Sequence, residues 1–158
     1  MTLHTIDPVW DENSKVLILG SFPSVKSREE GFFYGHKQNR FWKVVANVCN
    51  CPVPQNIDDK KAMLLANGIA VWDVIHSCDI VGSSDSSIKN VVPNDIADII
   101  QKSHIERIFT NGKKADELYK KYIEQTVGIS AECLPSTSPA NAVWTLEKLC
   151  EEWKIIQK

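Results

Sequence analysis

No run in the chain approaches the roughly 20 consecutive apolar residues that a membrane-spanning helix needs. Met1 to Asp11 carries neither a basic leader nor an apolar core, so no secretory signal is recognisable and an intracellular, cytoplasmic protein is expected. A disulfide framework is excluded on similar grounds, because the five cysteines (49, 51, 78, 133 and 150) are odd in number and scattered. Cys49 and Cys51 lack a second pair at zinc-finger spacing, and His4, His36, His76 and His104 show no ligand spacing. Neither a zinc site nor an iron–sulfur cluster is expected, and the cysteines read as buried thiols. The phosphate-binding glycine loops of nucleotide and dinucleotide enzymes are missing, as is the Gly-x-Ser-x-Gly elbow. Net charge is small too: a value of −2 argues against a protein that coats nucleic acid by bulk electrostatics.

What is present is a soluble-type composition, 43% hydrophobic and 24% charged over 158 residues, which fits a single domain, 1–158, with its own core. Short apolar runs at 16–19, 69–74, 105–110 and 129–134 read as strands. Helical spacing of apolar residues marks 40–50, 58–66, 113–124 and 140–155, and Pro93-Asn94-Asp95 opens a further helix carrying Ile96, Ile99 and Ile100. Val143, Leu146, Leu149, Trp153 and Ile156 form the apolar stripe of the last helix. The Ser-rich stretch between His76 and Asn90 reads as a surface loop. Apolar strands alternating with helices predict an α/β fold, a three-layer α/β/α sandwich around a central four-stranded parallel sheet. In such sheets ligands gather at the carboxyl ends of the strands.

Four groups then become candidates: Gly20-Ser21-Phe22-Pro23, Asp73, Asn111-Gly112 and Pro135-Ser136-Thr137-Ser138. Each also has a purely structural reading. Asn39 stands where a helix begins and Asn is a favoured N-cap; Asn111-Gly112 is a turn dipeptide; Ser138-Pro139 has the form of an N-cap followed by Pro at the first helical position. Asp73 is a carboxylate at the end of an apolar strand, costly to bury without a partner. The residues between Leu17 and Val44 are uneconomical as packing, since a long polar and aromatic passage follows the first strand before any helix starts. Lys26, Arg28, Lys37, Arg40 and Lys43 concentrate positive charge there.

In order along the chain, Leu19-Gly20-Ser21-Phe22-Pro23-Ser24, Tyr34 to Val44 with its Asn39-Arg40-Phe41-Trp42, Gly68 to Val74, Gly82 to Ser86 and Leu134 to Ala140 resemble the uracil-DNA glycosylase superfamily, and most of all its hypoxanthine-DNA (deoxyinosine) glycosylase branch. The resemblance implies a monofunctional glycosylase that flips a deaminated nucleotide out of DNA and leaves an abasic site. It implies that Tyr34 stacks on the flipped base, that Gly20, Ser21 and Phe22 line the pocket, that Asp73 accepts the N1–H of hypoxanthine, and that Asn111 helps to hold the base or a water. Asn39 would orient the attacking water. Ser136, Thr137 and Ser138 would grip phosphates together with Lys37 and Arg40, and Pro139, Ala140 and Asn141 would lie where a wedge fills the vacated stack. DNA containing deaminated bases is the implied partner, with no cofactor or metal, no membrane, and a monomeric protein. Two departures from the superfamily pattern stand out: Phe22 replaces the acid or amide that positions water in the uracil enzymes, and Leu134 replaces a His. The alternatives are a G:T/U mismatch-type uracil or thymine glycosylase and a catalytically silent DNA- or nucleotide-binding module.

Overall fold

The computed structural model describes residues 1–157; Lys158, the last residue of the expected domain, lies outside them. In chain order the elements are β1 (Thr2–Leu3), β2 (Val16–Gly20), α1 (Val25–Glu30), α2 (Phe41–Val48), α3 (Ile57–Ala66), β3 (Ile69–Asp73), β4 (Ile75–Asp79), β5 (Lys89–Pro93), α4 (Ile96–Lys102), β6 (Arg107–Asn111), α5 (Lys113–Tyr122), α6 (Glu124–Val127), β7 (Ala131–Leu134) and α7 (Leu146–Trp153).

β2 is buried at every position because it is an inner strand with both faces covered. It lies in a four-stranded sheet of order β3-β2-β6-β7, with Ile18 opposite Val71 on one side and Phe109 on the other. All three pairings are parallel. Side chains alternate between the faces. Val16 and Ile18 pack with Phe41, Val44, Leu149 and Trp153 from α2 and α7, whereas Leu17 and Leu19 pack with Ile96, Ile99, Leu118 and Tyr119 from α4 and α5. The expected three-layer arrangement follows, and all four strands run toward one edge where their loops meet.

Several local expectations are corrected. The stretch read as a surface loop carries β4 and the start of β5, which join β1 in a second, three-stranded antiparallel sheet. Ser77 and Cys78 are its buried positions, so no apolar alternation announced it. Pro93 closes β5, an edge strand where its missing N–H is tolerated, and Asp95 caps α4 by accepting from the Asp98 N–H at 3.2 Å. A short helix, α1, sits inside the passage expected to be loop, capped by Ser24, whose Oγ accepts from the Ser27 N–H. The last helix begins at Leu146 behind a Thr145 cap rather than at residue 140. Val143 therefore falls outside the apolar stripe and is 81% exposed, while Leu149, Trp153 and Ile156 are buried as expected. Among the cysteines, Cys78 and Cys150 are buried, Cys49 and Cys51 half-buried, and Cys133 exposed. Among the described residues no helix is long and apolar enough to cross a membrane.

Candidate active site

The carboxyl ends of β2, β3, β6 and β7 open into a cleft of about 300 Å³ lined by Gly20, Ser21, Phe22, Asp73, Asn111 and the 136–140 loop. The aromatic passage adds Tyr34, His36 and Asn39, and the Ser-rich loop adds Ser83 and Asp85. The sequence-predicted pocket residues thus converge on one place.

Tyr34 reaches the cleft because the chain doubles back after α1. Ser27 Oγ accepts the Gly35 N–H at 2.9 Å, and Tyr34 itself adopts left-handed backbone with φ of 53°. Its ring lies flat on Phe41 at a centroid distance of 4.0 Å and an interplanar angle of 16°, leaving one ring face uncovered by that partner. The hydroxyl is buried with no hydrogen-bond partner of good geometry among the described residues, and burial together with the charge of Asp73 raises its pKa well above the ordinary phenol value, with the nearby Asn111 amide pulling the other way. Tyr34 is therefore a neutral donor at any physiological pH. Gly20 is required beside it: a Cβ there would stand 2.4 Å from Asp73 Oδ1 and 3.1 Å from Tyr34 Oη.

Asp73 finds its missing partner in a residue to which sequence reasoning gave no role. His4 Nε2 lies 2.8 Å from Asp73 Oδ2, and both side chains are almost fully buried. The Asp73 backbone carbonyl accepts from Asn94 Nδ2. No signal in the sequence links His4 to Asp73, because the two are joined only when β1 crosses β4. Asp85, in the Ser-rich loop, is a second carboxylate of the cleft and accepts from Ser21 Oγ at 3.4 Å. Partial burial raises its pKa, with the bond from Ser21 and the charge of Lys114 pulling the other way.

Asn39 is a cleft residue that lies one position before Arg40, the N-cap of α2, where it supports the first turn without being the cap. Its Oδ1 accepts from the Phe41 N–H at 2.9 Å, and since a backbone N–H can only donate, the amide orientation is fixed. The same oxygen accepts from Thr137 Oγ1 at 2.9 Å. Thr137 Oγ1 in turn accepts from Asn111 Nδ2, and Asn111 Oδ1 accepts from the Thr137 N–H. Both lone pairs of Asn39 Oδ1 are engaged, so the group that remains is its NH2, which makes no hydrogen bond among the described residues. Asn111 and the fully buried Thr137 are parts of the frame that holds this amide.

Arg40 has a different environment from the one expected of a phosphate contact. Its guanidinium donates to the backbone carbonyls of Thr137, Ser138, Asn141 and Trp144. It winds residues 137–144 into turns and keeps them out of the last helix. Ser138 consequently caps no helix; its Oγ accepts from the Ala140 N–H, while Ser136 Oγ accepts from the Ser138 N–H. Asn141 is tied into the same loop, donating from Nδ2 to the Ser136 carbonyl. Lys37 is exposed beside the cleft. Leu134 belongs to the core rather than the cleft wall, and Phe22 packs edge-on against His4. Among the described residues no group of His, Cys, Asp and Glu side chains converges as metal ligands.

Residues 8–158 match the family model of the uracil DNA glycosylase superfamily. A protein of Methanosarcina acetivorans named hypoxanthine DNA glycosylase is 33% identical over 150 residues, covering 94% of this chain and 93% of its own length. One of the same name from Methanosarcina barkeri is 31% identical over 136 residues, 85% of each chain. The solution NMR structure of a Methanosarcina acetivorans protein, provisionally assigned as a uracil DNA glycosylase, superposes with a TM-score of 0.80 at 29% identity over 97% of both chains.

Proposed function

Because the chain belongs to the uracil DNA glycosylase superfamily, we propose that it is a monofunctional DNA glycosylase that excises deaminated bases, hypoxanthine above all, after flipping the nucleotide into the cleft. The observation that carries this reading is the pair of unfilled groups in one cleft: a carboxylate oxygen of Asp73 and the amide NH2 of Asn39. Asp73 Oδ1 accepts the N1–H of hypoxanthine, a donor that adenine lacks. The free ring face of Tyr34 stacks on the base, and Gly20, Ser21 and Phe22 form the wall. The names of the two Methanosarcina relatives support the same substrate.

Asn39 acts by holding water. An amide cannot take a proton usefully, and its oxygen is already occupied, so Nδ2–H donates to the water oxygen and fixes its approach to C1′; as the C1′–N9 bond breaks, hypoxanthine leaves with the bonding pair and takes up the proton that the added water gives up. A transition state with oxocarbenium character needs a placed nucleophile more than a strong one. Asn111 acts one bond further back, through Thr137. The hydroxyls of Ser136 and Ser138 accept from loop N–H groups, which leaves each O–H to donate to a phosphate. Lys37 supplies charge at the surface, and Arg40 and Asn141 serve by shaping the loop. Among the described residues no lysine lines the cleft, which supports simple hydrolysis over a Schiff-base lyase step. The enzyme works as an intracellular monomer.

A panel of duplexes carrying deoxyinosine, deoxyuridine, deoxyxanthosine or a thymine mismatch tests this. Release of free hypoxanthine with an intact abasic strand is expected. Release only from uracil or thymine duplexes would instead identify a mismatch-type enzyme, and binding without any release a silent module.

A further inference from the structure

His4 lies outside the cleft wall, yet it is the only described side chain bonded to the Asp73 carboxylate. Its orientation is fixed on several sides. The ring packs between Phe22, Phe33 and Trp72 at centroid distances of 6.0, 6.0 and 6.4 Å. Nδ1 accepts from the Ile6 N–H at 3.3 Å, so the ring hydrogen is on Nε2 and is donated to Asp73 Oδ2. The opposite oxygen, Oδ1, is the one against Gly20, and it has no protein donor among the described residues. The carboxylate is thereby prevented from turning.

We propose that His4 is a positioning residue that sets purine specificity: by drawing Oδ2 toward itself, outside the cleft wall, it leaves Oδ1 as the oxygen of Asp73 that meets the base, which suits the lone N1–H of hypoxanthine and disfavours guanine. This rests on the reading of Asp73 as acceptor for N1–H. Guanine shares the N1–H and C6 carbonyl of hypoxanthine and adds an amino group at C2. A carboxylate with both oxygens free takes the adjacent N1–H and N2–H of guanine side by side, and would prefer the normal base to the lesion. With Oδ2 turned toward His4, the guanine amino group loses the acceptor that a freely turning Asp73 carboxylate would set beside N1–H, which disfavours it by about ten- to a hundredfold. Guanine is the abundant undamaged base that presents the same lactam edge, so this discrimination is needed by any enzyme that reads hypoxanthine through N1–H.

The test is single-turnover release of hypoxanthine from a deoxyinosine duplex and of guanine from the matched deoxyguanosine duplex by wild type, His4→Leu and His4→Gln. His4→Leu removes the donor and should lower the inosine-to-guanine rate ratio about tenfold or more. His4→Gln, whose amide can donate to Oδ2, should restore the ratio toward wild type, which a merely structural role of the ring would not produce. An unchanged ratio in an active His4→Leu protein, or guanine release below detection there, overturns the proposal. Should His4→Leu fail to fold, the wild type decides by nitrogen-15 NMR. The His4 Nε2–H resonance should persist, hydrogen-bonded, on saturation with free hypoxanthine, and its loss overturns the proposal. A wild type that releases no hypoxanthine at all refutes the glycosylase reading instead, a separate outcome.

Discussion

Replacing Asn39 by Asp keeps the shape of the side chain and exchanges its amide NH2 for a charged oxygen in a cleft that already holds Asp73 and Asp85. One carboxylate oxygen can go on accepting from the Phe41 N–H and from Thr137 Oγ1, each at 2.9 Å in the wild type, so the start of α2 and the Thr137 frame are kept. The second oxygen takes the place of the NH2 group and converts the only free donor of this side chain into an acceptor. If Asn39 holds water by donation, the loss should resemble removal of an aimed hydrogen-bond donor from an active site, about 10²–10³ in rate. Asn39→Ala removes the donor together with the acceptor for the Phe41 N–H and Thr137 Oγ1, so it should lose a similar rate and in addition about 1 kcal/mol of stability. Single-turnover excision of deoxyinosine, with strand scission by alkali as readout and thermal melts run in parallel, separates the two effects. An Asn39→Asp protein that works as fast as wild type, or faster, refutes positioning by donation and makes the residue a base. An Asn39→Ala protein that melts lower yet keeps its rate reduces the residue to a support for the first turn of α2.

Thr137→Val keeps the shape of a fully buried side chain but removes the donor to Asn39 and the acceptor for Asn111. It should lower stability by about 1–3 kcal/mol and slow excision without changing base preference, measured by melts and the lesion panel. Arg40→Lys cannot reproduce a guanidinium shared among four carbonyls, and should destabilise by about 2–3 kcal/mol and lower excision. Lys37→Ala, by contrast, should leave the melt unchanged and reduce the salt dependence of DNA binding by about one ion. Asp85 is exposed overall, but desolvation on its cleft side raises its pKa, so the fold slightly disfavours its charge and loses a little stability, screened by solvent, as pH rises from the ordinary carboxylate value through the raised one. Asp85→Asn should therefore melt slightly higher than wild type at pH 7, equal it in strong acid, and bind DNA more tightly.

The sheet was legible because its strands are short apolar runs buried on both faces, as in Leu17, Ile18 and Leu19, and the site was legible because strand ends in such a sheet collect ligands. Other features depend on partners that sequence cannot pair. Within the stretch read as a surface loop, the second sheet turns inward only through Ser77 and Cys78, adjacent residues that show no apolar alternation. The late start of α7 is set by one guanidinium nearly a hundred residues upstream, whose hold on loop carbonyls overrides a helical pattern that the 140–145 stretch shows by itself. Asn39 could be read as cap or as site because both readings predict the same residue; in the structure Arg40 takes the cap position, the Asn39 oxygen accepts from the Phe41 N–H, and the nitrogen is left without a partner among the described residues. His4 was invisible because a single histidine in a polar segment says nothing about a carboxylate 69 positions away.

The account turns on Asp73 as the acceptor for the base N–H, and Asp73→Asn tests it most directly. His4 Nε2–H would draw the amide oxygen of the new side chain to itself, turning the NH2 toward the base, where it opposes the N1–H of hypoxanthine. Single-turnover excision of deoxyinosine by this variant should fall by about a hundredfold or more with the melt little changed. Excision of deoxyinosine at the wild-type rate would contradict the account.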